Sequence, residues 1–148
     1  LITSQKNAAT IILPPTNSVV LAKKALADIP VGGKTPLSAG LTLAYEVIHR
    51  EKVLHPDIMP LLIVLTDGAG NVAMGSLPPL EESYLIADQI AQEKIHSLVI
   101  NMEHASFDQG LAETLAKWLK SPCYTITDLK AESLYHTVQR EIANPISR

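Results

Sequence analysis

The continuous apolar run Leu61-Leu62-Ile63-Val64-Leu65 stops abruptly at Thr66-Asp67-Gly68, and it limits this chain to few folds. A short apolar run without alternation, bounded by a turn signal, reads as a strand buried on both faces. Such strands belong to parallel sheets covered by helices, and ligands gather beyond their carboxyl ends. Asp67 therefore marks a candidate site. Upstream, the loop Val31-Gly32-Gly33-Lys34-Thr35-Pro36-Leu37 leads into an amphipathic run that ends near Leu54. A Thr35 hydroxyl and an Asp67 carboxylate, brought together, would offer hard oxygen donors to a divalent cation. Asp67-Gly68 equally suits a plain turn and Thr35 a helix cap, and spacing alone leaves both readings open.

The order of segments around this run fits an α/β chain. Residues 1–4 and 8–13 are short β-type runs, a hairpin signal. Pro14-Pro15-Thr16-Asn17-Ser18 breaks the second run and caps a helix over about 18–28, with Val19, Leu21, Ala22, Ala25 and Leu26 on one side. Pro30 ends it. Thr35 then caps a second helix, with Pro36 in its first turn. Leu37, Leu41, Ala44, Val47 and Ile48 face inward from it, and Glu46, His49, Arg50 and Lys52 face water. The Gly, Asn and Pro content of 68–79 forbids regular structure, and a long loop at a strand's carboxyl end is often functional. A helix over 80–93, a strand over 95–102, a helix over 109–119, a strand over 123–127 and a helix over 131–142 follow. That alternation is the mark of parallel βαβ units. With no internal repeat and no linker, residues 1–148 read as one domain.

Composition removes several function classes. A chain of 148 residues, 47% apolar, suits one globular core, and no run approaches the ~20 residues of a membrane span. The net charge of −3 is interspersed and aromatics make up 4%, so neither a basic run nor a base-stacking platform points to nucleic acid. The single Cys123 forms no internal disulfide, which fits a reducing compartment, and its place in Cys123-Tyr124-Thr125 favours a small buried side chain over a nucleophile. No signal peptide is visible and no Met begins the chain, which reads as a fragment or a processed piece. Gly33-Lys34-Thr35 imitates the tail of a phosphate-binding loop, but position 28 is Asp where that pattern needs Gly, and Pro36 follows. No nucleotide site is expected. His49-Arg50-Glu51 lacks the second His of a metalloprotease helix, His96 and His104 read as surface or loop residues, and no Gly-x-Ser-x-Gly elbow occurs. The chain shows no residues for catalysis of its own.

Leu13-Pro14-Pro15-Thr16, then Val31-Gly32-Gly33 with Thr35-Pro36-Leu37 and Gly40-Leu41, then Leu65-Thr66-Asp67-Gly68 and Asn71-Val72, together carry a resemblance. Asn101-Met102-Glu103, Leu111-Ala112, Leu115-Ala116, Cys123-Tyr124 and Asp128-Leu129 continue it. The chain resembles the von Willebrand factor A domain of magnesium chelatase D subunits, over essentially its whole length. The resemblance implies a Rossmann-like domain with a mostly parallel sheet and helices on both faces. It also implies a protein-interaction role in an ATP-driven complex that inserts Mg²⁺ into protoporphyrin IX. Partners would be an AAA+ ATPase subunit and a porphyrin-binding subunit, in the cytoplasm or, in a phototrophic eukaryote, the plastid stroma. Cobalt chelatases and A-domain proteins beside AAA+ ATPases share much of the pattern.

By the same resemblance, Thr35 and Asp67 are Mg²⁺ ligands, Gly32, Gly33 and Gly68 shape the loops, and Asn71 sits on the rim. The family's Asp-x-Ser-x-Ser loop occurs nowhere in these residues, and Ala69 stands where an Arg often follows Asp-Gly. The expectation is a domain that begins at its second strand, with an incomplete metal site and strand edges open to another chain, including a second copy. A flavodoxin-like domain binding a small molecule or phosphate at 68–75 and at helix amino ends is the competing class.

Overall fold

The computed structural model describes residues 1–5, 8–27, 36–67 and 73–125, together with 136, 139, 140 and 143. In chain order the elements are β1 (Ile2–Gln5), β2 (Ala8–Ile11), α1 (Val19–Ala27), α2 (Leu37–Leu54), β3 (Leu61–Thr66), α3 (Pro79–Gln92), β4 (His96–Asn101), α4 (Leu111–Leu119) and β5 (Cys123–Thr125). They fall into two packing units, Leu1–Pro56 with Gly70–Ile86 and Asp57–Ala69 with Ala87–Arg148.

In the first unit β1 and β2 form the expected antiparallel hairpin, Ile2 opposite Ile11 and Gln5 opposite Ala8. It packs on α2, whose inner face is Leu37, Ser38, Leu41 and Ala44. A Cβ added at Gly40 would collide with the Ser4 hydroxyl, which would have to turn away. Val47 and Ile48 are half-buried, and Val53 and Leu54 in the last turn are exposed. The start of α2 lies one residue later than the Thr-Pro signal suggests. Helical geometry begins at Leu37, and Pro36 (φ −78°, ψ 76°) takes the N-cap position, its carbonyl accepting the Gly40 amide at 3.1 Å. Thr35, the expected cap, lies outside the described residues.

At α1 the cap is as the sequence predicts: the Leu21 amide donates to Ser18 Oγ at 3.2 Å, and the Ser18 amide to Thr16 Oγ1 at 3.1 Å. Its packing is not. None of its residues is buried, and Val19, Val20, Leu21 and Leu26 are exposed. The apolar spacing is present, but the side chains turned inward are the small Ala22 and Ala25, and the large ones project away.

In the second unit β3, β4 and β5 form a parallel sheet in that order, with Leu61 opposite His96, Thr66 opposite Asn101 and Asn101 opposite Thr125. The centre is β4, where Ser97 to Asn101 are all buried, as an inner parallel strand requires. The expectation of burial on both faces fails at β3. Val64 and Thr66 are buried, while Ile63 and Leu65 are exposed. Among the described residues β3 pairs with β4 alone, and its alternation shows one face covered and the other open. In α4, Ala112, Leu115, Ala116 and Leu119 recur at helical spacing and pack on β4 and β5. Ala87, Ile90 and Ala91 in the second half of α3 belong to the same core. Pro79 at the first position of α3, and Glu81 and Glu82 in its first turn, suit the positive end of a helix.

The molecule is thus α/β with a three-stranded parallel sheet, compatible with a Rossmann-like arrangement. Of the strand expected over 123–127, β5 covers the first part, and 126 and 127 lie outside the described residues, as does most of the helix expected over 131–142. No helix among the described residues is long and apolar enough to cross a membrane.

Candidate functional site

Parallel strands bring their carboxyl ends to one edge, and in the second unit that edge is built from Thr66-Asp67 and Asn101-Met102. The Met102 amide donates to the Thr66 carbonyl at 2.9 Å, which extends the β3–β4 pairing past the strand ends. Asp67 follows directly and is exposed. Beside it, Asn101 is 1% exposed and uses both ends of its amide. Its Nδ2 donates to Asp108 Oδ2 at 2.7 Å, and its Oδ1 accepts the Glu103 amide at 2.9 Å. Asp108 Oδ1 in turn accepts the Gly110 amide at 2.8 Å, a local turn that Asp favours. Gly110, at φ +72°, is the N-cap of α4 in a left-handed conformation that suits glycine. The loop between Asn101 and Gly110 is therefore fixed at both ends. It carries His104 and Phe107 with ring centroids 6.1 Å apart, and both side chains are exposed.

Cys123 lies half-buried in β5. Burial pushes its thiol pKa up, and the Glu113 and Asp108 carboxylates push it further, so the nucleophilic thiolate is disfavoured. This agrees with a packing role. The edge offers oxygen acceptors and exposed apolar surface, the chemistry of binding.

Of the metal, loop and rim residues expected from the sequence, Asp67 alone is described. It sits where the run of β3 placed it, at the carboxyl end. Gly32, Gly33, Thr35, Gly68 and Asn71 lie outside the described residues. Among the described residues no group of three or more His, Cys, Asp and Glu is placed to hold a metal ion. The donors Thr35 and Asp67 are hard oxygens, right in kind for Mg²⁺ and short of the six it takes. The Asn101–Asp108 network was not singled out from sequence, although two signals were present. Asn101 ends an apolar strand just as Asp67 does, and Asp108-Gln109-Gly110 precedes an apolar periodic run.

No family model matches the chain. The protein MJ0910 of Methanocaldococcus jannaschii is 35% identical over 135 residues, which make up 90% of this chain and 77% of that protein. The chain belongs to the MJ0910 family. The Mycobacterium tuberculosis protein Rv2850c is 38% identical over 138 residues, 93% of this chain and 22% of its own length. The magnesium-chelatase 67 kDa subunit of Heliobacterium mobile is 33% identical over 139 residues, 88% of this chain and 21% of its own length. The chain thus spans roughly a fifth of each of these longer relatives. Over nearly its whole length the chain is thus similar to one part of magnesium-chelatase subunits.

Proposed function

We propose that the chain is a von Willebrand factor A-like protein-interaction domain, working as one unit over residues 1–148 in a cytoplasmic or stromal magnesium-chelatase-like complex. The complex uses ATP to insert Mg²⁺ into protoporphyrin IX. In this reading the domain contacts an AAA+ ATPase subunit and a porphyrin-binding subunit, and contributes Thr35 and Asp67 to a Mg²⁺ site. Gly32, Gly33 and Gly68 shape the flanking loops, and Asn71 lies on the rim. The observation that carries it is the relationship to magnesium-chelatase subunits along nearly the whole chain. The exposed Asp67 at the carboxyl end of β3 supports it. A second reading is an A-like domain of a cobalt chelatase or of a protein that accompanies an AAA+ ATPase; the chain matches 77% of MJ0910, against about a fifth of the chelatase subunits.

Two outcomes test the proposal. With one hydroxyl and one carboxylate as protein ligands, residues 1–148 should bind Mg²⁺ weakly, water supplying the remaining oxygens. Micromolar or tighter binding in a calorimetric titration would overturn the two-ligand site. In the full-length protein, Asp67→Ala should weaken capture of the cognate ATPase subunit in Mg²⁺ by about tenfold, the scale of one charge-assisted contact. Circular dichroism should stay unchanged, because an exposed strand-end carboxylate is not core. Equal affinity with and without the carboxylate would move the contact elsewhere.

A further inference from the structure

Phe107 is the chain's single phenylalanine, and 72% of it is open to water. The loop that carries it, between β4 and α4 in the second unit, is fixed both at its base and near its tip. At the base, Asp108 Oδ2 accepts Asn101 Nδ2–H at 2.7 Å while Oδ1 accepts the Gly110 amide at 2.8 Å. Nearer the tip, the His104 carbonyl accepts the Phe107 amide at 2.8 Å. His104 Nδ1 accepts the Ser106 amide at 3.2 Å. The His104 ring, with its centroid 6.1 Å from that of Phe107, leaves most of the phenylalanine uncovered. An aromatic ring held in water forgoes a large burial free energy. A loop that is already ordered loses little further entropy when a partner covers it, and aromatic side chains are the usual anchors of protein contacts.

The charges around the loop say what kind of surface would cover the ring. Residues 101–116 hold three carboxylates, Glu103, Asp108 and Glu113, and neither Lys nor Arg. Glu113 and Asp108 both push up the Cys123 thiol pKa, so both charges lie within electrostatic reach of one point in β5. Met102, 46% exposed, opens the loop, and its amide bonds the Thr66 carbonyl at 2.9 Å. The loop therefore leaves from the same carboxyl edge as Asp67. We propose that Phe107 anchors a protein contact, entering an apolar pocket on the partner whose rim carries Lys or Arg opposite Glu103, Asp108 and Glu113. Because the loop and Asp67 share one edge, the partner is the ATPase subunit, and in naming it the inference rests on the function proposed above.

Interferometry with the full-length protein and the purified cognate ATPase subunit, in Mg²⁺, tests it. Phe107→Ala should lower affinity by about thirtyfold, the scale of an aromatic hot spot, with circular dichroism unchanged. Phe107→Leu, which keeps apolar bulk, should recover part of that loss. Met59→Ala removes a side chain 63% exposed just before the amino end of β3, and should change nothing. Asp108→Ala frees the base of the loop, so it should speed amide exchange at Gly110 and weaken binding severalfold. Association should slow as salt rises, because the acidic rim steers a basic partner. Wild-type affinity in Phe107→Ala overturns the anchor; if Asp67→Ala weakens capture in the same series, the proposed function stands without it. A loss in Phe107→Ala with none in Asp67→Ala keeps the anchor and drops the Asp67 contact. Association indifferent to salt overturns the basic rim. A wild-type protein that captures no ATPase subunit overturns the proposed partner and this contact together.

Discussion

Leu98→Ala is expected to destabilise the protein by about 2–5 kcal/mol, the range for emptying a packed leucine site. Leu98 lies in the middle of β4, fully buried, between β3 on one side and β5 on the other. Ile90, Leu115 and Leu119 belong to the same core and are equally closed to solvent, so little freedom remains to refill the space. Leu65→Ala makes the same chemical change two strands' width from β5, on the open face of β3, where Leu65 is 59% exposed. There the loss should stay below about 1 kcal/mol, because most of the side chain is already in water. Urea unfolding of the two variants side by side measures the difference. Equal losses would mean that the Leu65 face of β3 is covered as well.

Asn101→Asp should cost about 3 kcal/mol at neutral pH, the scale of an uncompensated buried charge. The change is nearly isosteric, so packing is preserved. What it does is replace a donor facing Asp108 Oδ2 at 2.7 Å with a second carboxylate. Burial and the neighbouring like charge both raise the new group's folded pKa above its unfolded value of about 3.9. The folded state then keeps a proton that the unfolded state has released, so stability falls as pH rises through that window. Below about pH 3.9 both states are protonated, and a protonated carboxyl again donates to Asp108, so the deficit against wild type should nearly vanish. Asn101→Ala, which only removes bonds, should lose about 1–3 kcal/mol with no such pH trend. Denaturant midpoints of the three proteins at acid and neutral pH separate these outcomes. A deficit in Asn101→Asp that ignores pH would show that position 101 does not face Asp108.

The elements that sequence placed well are those whose pattern and partner are both local. The heptad-like recurrence of Ala112, Leu115, Ala116 and Leu119 specifies a helix face, and β4 has its apolar run capped by Asn101. What pattern cannot convey is whether an apolar face finds something to cover it. Val19, Leu21 and Leu26 have helical spacing and remain exposed, and Ile63 and Leu65 look as buried in sequence as Leu98 and Ile100. A run of leucine and isoleucine is the same string of letters on an edge strand as on an inner one. The start of α2 shifted by one residue because Thr35 and Pro36 each carry a helix-start signal, and the Pro36 carbonyl makes the first bond. At the candidate site, Asp67 was legible because a carboxylate interrupts an apolar run. Asn101 with Asp108 was not, since that partnership is set by how the loop closes.

Both helices that lead into β4 and β5 are followed by a lysine in the left-handed region. Lys94 after α3 has φ +55° and Lys120 after α4 has φ +51°, the left-handed region where glycine is the ordinary occupant. The bonds of Ile95 N to Ile90 O at 3.4 Å and Ser121 N to Ala116 O at 2.9 Å close the two turns in the same manner. A non-glycine residue there costs about 1–2 kcal/mol, of which the cation at the negative end of the helix returns a fraction. These turns also decide which residue is delivered first to β4 and to β5, and a slip of one position would exchange the two faces of a strand. Both stops have left-handed geometry with a lysine where glycine would fit at lower cost. The protein consequently holds untapped headroom for stabilisation at two turns that lead into the amino ends of β4 and β5, at the opposite end of these strands from Asn101 and Thr125.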